Sequence, residues 1–158
     1  MNKKFTEKKW EINLTGISEG IFKPQHGTAN EMIAVGRTIK AGFPTSRSDI
    51  TNATYDAIVE VDGGKKLLRI QIKGTTTGTV SLIGGHRSGK QIDKNAPKRI
   101  YKYSEKNCDI FIGINSHNGD CYIIPASHLK KWGGTKALSK LQDYKEKWQH
   151  LVDVAKKA

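Results

Sequence analysis

Residues 54–74, TYDAIVEV-DGG-KKLLRIQIKG, restrict the fold more tightly than any other stretch of this chain. Two runs rich in β-formers flank Asp62-Gly63-Gly64, whose residue types tolerate the positive φ values of a tight reversal, so the segment reads as a β-hairpin. In the second run Leu68, Ile70 and Ile72 point to one face, while Leu67, Arg69, Gln71 and Lys73 point to the other. The first face belongs to a core; the second carries a polar cluster at its far end. In the first run Asp56 shares a face with Ile58 and Glu60 and lies near the start of the strand. An antiparallel hairpin returns on itself, so Asp56 is expected beside the Gln71/Lys73 pair.

Around the hairpin the pattern alternates between helix and strand. Thr28 followed by Glu31 matches a capping box, and Met32, Ile33, Val35, Gly36 and Ile39 supply the apolar face of a helix over 28–41, ending near Gly42. Residues 1–24 hold scattered apolar side chains that fit either a short leading helix or a strapping segment. AGFPTSRSDITNA, residues 41–53, reads as a polar connector. TVSLI at 79–83 is a short strand, and 91–104 reads as a helix broken by Pro97. CDIFIGI and CYIIP form a second strand pair around an Asn/Gly turn, closed by Pro125. In the tail, Leu141, Tyr144, Trp148, Leu151 and Ala155 follow a 3-4-3-4 spacing, which puts one apolar stripe on a helix packed either on its own sheet or on another subunit.

The 158 residues suit one domain. With 27 Lys and Arg against 15 Asp and Glu, the net charge of +12 favours a polyanionic partner, of which nucleic acid is the simplest. No run is long and apolar enough to span a membrane, and the opening residues lack a signal-peptide pattern, so the chain is expected in the cytoplasm with no membrane partner. Cys108 and Cys121 lie in separate apolar segments and are expected as small core residues rather than as a redox or zinc pair.

The polar cluster has the parts that phosphodiester hydrolysis requires. A carboxylate such as Asp56 is an appropriate oxygen ligand for Mg²⁺, Gln71 adds a neutral carbonyl oxygen, and the backbone carbonyl of Ile72 lies between Gln71 and Lys73. Lys73 projects with Gln71; it either orients or deprotonates the attacking water or stabilises the phosphorane. Glu31, in the helix before the hairpin, is a fourth candidate ligand. Glu60 and Glu19 are weaker ones.

Other motifs carry less. Gly84–Lys90, GGHRSGK, has the letters of a phosphate-binding loop, but Gln91 stands where Ser or Thr should follow. His86, Arg87 and Lys90 are better candidates for DNA-backbone contact, as are Lys94, Lys98 and Arg99, with Arg47 and Arg69 in addition. Tyr101 and Tyr103 would turn rings to the core. The five histidines show no zinc-ligand spacing.

From Glu31 through YDAIVEV, LLRIQIKG and CYIIP, residues 28–126 resemble the PD-(D/E)XK nuclease superfamily. The resemblance implies a restriction-endonuclease-like α/β core, with a mixed central sheet flanked by helices. Its helix glutamate, aspartate and acid-x-lysine become Glu31, Tyr55-Asp56 and Gln71-Ile72-Lys73. Tyr55 replaces the nominal proline and Gln71 the nominal acid, and the intron-encoded homing endonucleases are similar in using Gln-x-Lys. The resemblance implies Mg²⁺-dependent cleavage of double-stranded DNA, with Mn²⁺ as a substitute, leaving 5′-phosphate and 3′-hydroxyl ends. Homing activity leads, with restriction endonuclease, Holliday junction resolvase and a noncatalytic nucleic-acid-binding protein as alternatives. Because one cleft cuts one strand, a homodimer or dimer of dimers is expected.

Overall fold

The computed structural model describes residues 9–50, 53–85 and 100–158. Within these, a helix α1 (Glu19–Lys40) precedes the strands β1 (Thr45–Arg47), β2 (Ala57–Val61) and β3 (Lys66–Thr75). Then come β4 (Thr79–Ser81), β5 (Ile83–Gly84), β6 (Tyr101–Lys102), β7 (Ile110–Asn115), β8 (Cys121–Pro125) and β9 (Thr135–Ala137), and the chain ends in α2 (Gln149–Lys157). Five strands form a mixed central sheet in the order β1-β2-β3-β7-β8, with β3 and β7 parallel and every other neighbouring pair antiparallel.

The hairpin forms as its pattern requires. Asp62, Gly63 and Gly64 all take positive φ, and Ala57 pairs with Ile70. Ala57, Val59 and Val61 join Leu68, Ile70 and Ile72 in a core that also takes Ile110, Ile112, Ile114 and Ile123. On this face lie α1, through Ala34, and α2, through Leu151 and Ala155. A second core on the opposite face joins Phe111, Tyr122 and Ile124 to Val80, Leu82, Tyr103, Leu129, Leu138 and Leu141. It is built from the β4–β9 and β5–β6 pairs and from 3₁₀ turns at Ala126–Lys131, Leu138–Lys140 and Gln142–Tyr144. The result is an α/β fold with a mixed sheet flanked by helices, consistent with a restriction-endonuclease-like core.

Several expectations are corrected. The first helix begins at Glu19, not at a Thr28–Glu31 capping box, and it runs through Pro24. Phe22 stacks on His26, one turn further along, which supports the added turns. Its core-facing side is Asn30, Ala34 and Thr38; Ile33 and Val35 are only partly buried, and Met32 and Ile39 are 59% and 50% exposed. The reason is a close approach of helix to sheet. A Cβ at Gly74 would collide with the Asn30 side chain, so small and polar residues line the contact where bulky apolar ones would not fit.

The 41–53 connector contains a strand, β1, and the expected 79–83 strand divides into β4 and β5 on either side of fully buried Leu82. Of the 91–104 helix, residues 91–99 lie outside the described residues, and the described end is the strand β6. The tail stripe is not one helix. Leu141 enters the second core, Tyr144 packs edge-on against Trp132 and His150, and only Leu151 and Ala155 ride on α2 into the chain's own first core. Cys108 and Cys121 are both buried and free, as expected. Among the described residues, no helix is long and apolar enough to cross a membrane.

Candidate active site

β2 is the shorter partner in the hairpin, so β3 continues past it, and Asp56 sits at the step, just before Ala57. Its N–H donates to the Ile70 carbonyl at 2.7 Å, which extends the ladder by one residue. The Asp56 Oδ2 then accepts from Gln71 Nε2 and from the Ile72 N–H, both at 2.8 Å. Gln71 Nε2 also lies 3.2 Å from the Ile72 carbonyl oxygen. Ile72 therefore anchors its side chain in the core while its two backbone groups face the polar cluster. Gln71 is only 6% exposed.

Burial is the main force on Asp56, and it raises the carboxyl pKa to about 6; the Ile72 hydrogen bond opposes this, Glu31 adds to it, and Lys73 and Arg47 offset part. Glu31 reaches the same site from α1 and pairs with Arg47 Nε at 2.9 Å. Lys73 Nζ lies 5.7 Å from the centre of the Tyr103 ring. That ring is buried against Phe111, meets Tyr101 edge-on and packs on the backbone at Gly84, where a Cβ would intrude. Burial holds the Tyr103 hydroxyl well above its ordinary pKa, with Tyr101 and Asp56 contributing. Tyr101 is shifted the same way, by burial and then by Asp56.

The structure thus brings Asp56, Gln71, the Ile72 carbonyl, Lys73 and Glu31 to one end of the sheet. Glu60 pairs with Leu67 toward the hairpin turn, and Glu19 lies 12 residues before Glu31 on α1, about 18 Å along the axis; neither joins the cluster. Tyr103 as the seat of Lys73 was not foreseen; the only signal was its alternation with Tyr101 about Lys102. Arg47 stands at the site. Arg69 is turned to other work: its guanidinium binds both Asp109 carboxylate oxygens and the Glu105 and Lys106 carbonyls. His86, Arg87, Lys90, Lys94, Lys98 and Arg99 lie outside the described residues.

Among the described residues, no group of three or more His, Cys, Asp or Glu converges as a metal cluster. The donor set nevertheless fits a hard divalent cation. Asp56 Oδ2 and the Ile72 carbonyl oxygen both face the Gln71 amide, whose own oxygen becomes the inward atom on a χ3 flip, and Glu31 adds negative potential.

The sequence pattern described as PD-(D/E)XK endonuclease matches residues 23–156. The chain belongs to the PD-(D/E)XK endonuclease family. The match runs beyond residues 28–126 at both ends and takes in most of α1 and α2, so those elements are part of the family's pattern. This PD-(D/E)XK protein is also similar in structure to a bacterial homing endonuclease, I-Ssp6803I, at a TM-score of 0.63 over 82% of this chain and 93% of that one. At 19% identity the likeness is one of fold. No curated protein matches the sequence. Membership in the PD-(D/E)XK endonuclease family makes nuclease chemistry on DNA the general function, and that family is typically metal-dependent.

Proposed function

We propose that the protein is a Mg²⁺-dependent, sequence-specific endonuclease of double-stranded DNA, of the homing type, acting in the cytoplasm and leaving 5′-phosphate and 3′-hydroxyl ends; Mn²⁺ substitutes. The observation that carries the reading is the meeting of Asp56 Oδ2, the Gln71 amide and the Ile72 backbone beside the Lys73 ammonium. Asp56, the Gln71 and Ile72 carbonyl oxygens and Glu31 would hold the ion. Once bound, it supplies charge neutralisation on the phosphoryl oxygens and lowers the pKa of a water.

The protein's own groups do the rest. Asp56 is fixed by the Ile72 N–H, a bond that the flip of the Gln71 amide leaves in place, and so offers its carboxylate in one orientation. Gln71 contributes a dipole but no charge, so a single strongly held ion suits this site better than two. Lys73, facing an aromatic ring, serves as a positive charge beside the reacting phosphate, and it stabilises the extra negative charge of the transition state. Arg47 balances Glu31 and leaves Asp56 as the dominant anion. Cutting both strands calls for two such sites, hence a homodimer or dimer of dimers; with Leu151 and Ala155 already in the chain's own core, the interface lies elsewhere than the α2 stripe.

The test is Mg²⁺-dependent cleavage of long duplex DNA carrying the gene's native flanks, run beside a mobile four-way junction. A discrete duplex cut that Asp56→Ala and Lys73→Ala both abolish is the expected result. Cutting of the junction alone would reassign the protein as a resolvase. Binding by folded protein without cleavage of either substrate would overturn the enzymatic reading.

A further inference from the structure

At the carboxyl ends of the parallel neighbours β3 and β7 lies a polar hollow of about 320 Å³, apart from the Asp56 cluster and unused by it. Lys9, Thr76, Thr77, Asn115, His117 and Asn118 line it. We propose that this hollow is a second phosphate subsite, which holds the backbone of the DNA strand whose scissile bond lies at Asp56. The inference rests on the nuclease reading and says where its substrate runs.

Three separate segments are fastened together to make the hollow. Trp10 N–H donates to the His117 carbonyl at 2.6 Å, and the His117 ring Nε2 lies 2.8 Å from the Thr76 carbonyl oxygen. Because that carbonyl only accepts, Nε2 carries the hydrogen. His117 N–H is held by Asn115 Oδ1 at 3.0 Å, and Thr77 N–H by Thr75 Oγ1 at 3.2 Å. The walls are therefore set before any ligand arrives.

The chemistry of the lining selects the ligand. It offers the Lys9 ammonium, the Thr76 hydroxyl and the Asn115 and Asn118 amides, and among the described residues no carboxylate lines it. Asp120, which is not in the lining, accepts one hydrogen of the Asn118 amide at 3.0 Å, leaving that amide its second, and pairs with Lys145 at 3.1 Å. Phosphate oxygens only accept, so a donor-rich hollow with one cation suits a backbone phosphate, and such contacts position a duplex without reading its bases.

Placement points the same way. Thr76 lies three residues beyond Lys73, roughly 10 Å along the strand direction. Successive phosphates of a DNA strand follow one another closely along the duplex, so a backbone held at Asp56 has a phosphate within reach of the hollow only a few nucleotides away. Crevices beyond the carboxyl ends of parallel strands are also the usual ligand positions in open α/β sheets.

The experiment measures binding of a fluorescent duplex of about 30 base pairs across a salt series, in the Asp56→Ala background so that the DNA stays intact. Lys9→Gln is expected to weaken binding and reduce the slope of log affinity against log salt by about 0.9, the loss of one phosphate contact, with Lys9→Arg restoring it. Thr77→Asp, which brings a carboxylate to the hollow's wall, should weaken binding further. Lys66→Gln, at the opposite end of β3, should leave the slope unchanged. Equal slopes and affinities for Lys9→Gln, Thr77→Asp and the parent would overturn the proposal. So would binding of inorganic phosphate that Lys9→Gln abolishes while duplex affinity holds, since the hollow would then be a small-anion site. If the parent with Asp56 intact binds duplex DNA but cuts nothing, the nuclease reading fails while the slope result still decides the subsite.

Discussion

One face of the central sheet is treated in two different ways. Over β7 and β8 it is sealed: Phe111 and Ile124 are fully buried under Leu82, Leu129 and Leu141. Over β2 and β3 the same face carries Ile58, Glu60, Gln71 and Lys73, and among the described residues no helix is laid across it. The sealed half holds Tyr103 in place, and Tyr103 in turn seats Lys73 at the boundary. The lesson is that polar groups of the open half are located by apolar packing on their flanks. Ile72 and Tyr103 are the hinges of that arrangement, each with one part in a core and another facing the cluster.

The largest expected effect lies in the open half. Asp56→Ala should lower cleavage on the order of 10³-fold or more, and Lys73→Ala about 10²- to 10⁴-fold, as single-turnover rates, with the thermal midpoint little changed. Phe111→Ala in the sealed half should do the converse. It removes a fully buried ring and should cost about 3–5 kcal/mol in denaturant unfolding. If Phe111→Ala spared stability, or Asp56→Ala unfolded the protein, the division between the halves would be wrong.

Gly74→Ala sharpens the comparison from the other face. The new methyl would run into the Asn30 amide and stand 3.1 Å from Ser116 Oγ, in a spot where Ser116 already donates to Asn30 Oδ1 at 3.2 Å. Helix α1 must give way, at about 1–3 kcal/mol of stability, and Glu31, the next residue after Asn30, moves with it. Cleavage by the folded fraction should fall as well, which separates this variant from a purely structural one.

The same contact explains what the sequence concealed. The hairpin was readable because Leu68, Ile70 and Ile72 alternate cleanly and Asp62-Gly63-Gly64 marks the turn; its antiparallel return then put Asp56 beside Gln71 without further information. Helix α1 was misread at its start because Thr28 and Glu31 imitate a cap inside a continuous helix. Its buried face was misread because Asn30 and Thr38 are chosen for close approach rather than for hydrophobicity. In the tail, the 3-4 spacing of Leu141, Tyr144 and Trp148 is met by consecutive tight turns as readily as by a helix, and only the placement of the two cores decides between them. The β4–β9 pair joins segments far apart in the chain and short enough to lack a periodic signal. The candidate ligands were visible as residue types; the aromatic seat of Lys73 was not, because it depends on β5 and β6 folding over the sheet.

The smallest effect is the open half's share of the pH dependence, carried by the Asp56 carboxyl. Folding raises the Asp56 pKa from an ordinary 3.8 to about 6, chiefly through burial. In metal-free protein, the folded state therefore keeps a proton that the unfolded chain releases over this interval. The associated stabilisation is fully present below the unfolded value and is lost as pH rises through about 6. The difference in unfolding free energy between the parent and Asp56→Asn over pH 4 to 7 should show this slope, since Glu146 and His128, whose pKa values folding lowers, add stability as pH rises in both proteins. A protonated Asp56 is a poor cation ligand, so cleavage should decline as pH falls, with a midpoint that moves lower as the cation concentration rises. Because the negative charge of Glu31 helps to hold the Asp56 pKa up, Glu31→Gln should move the stability transition of the metal-free protein to lower pH. A shift to higher pH would mean that loss of the Glu31–Arg47 pair reorganises the site rather than relieving repulsion, because Arg47 freed from Glu31 should push the Asp56 pKa down further.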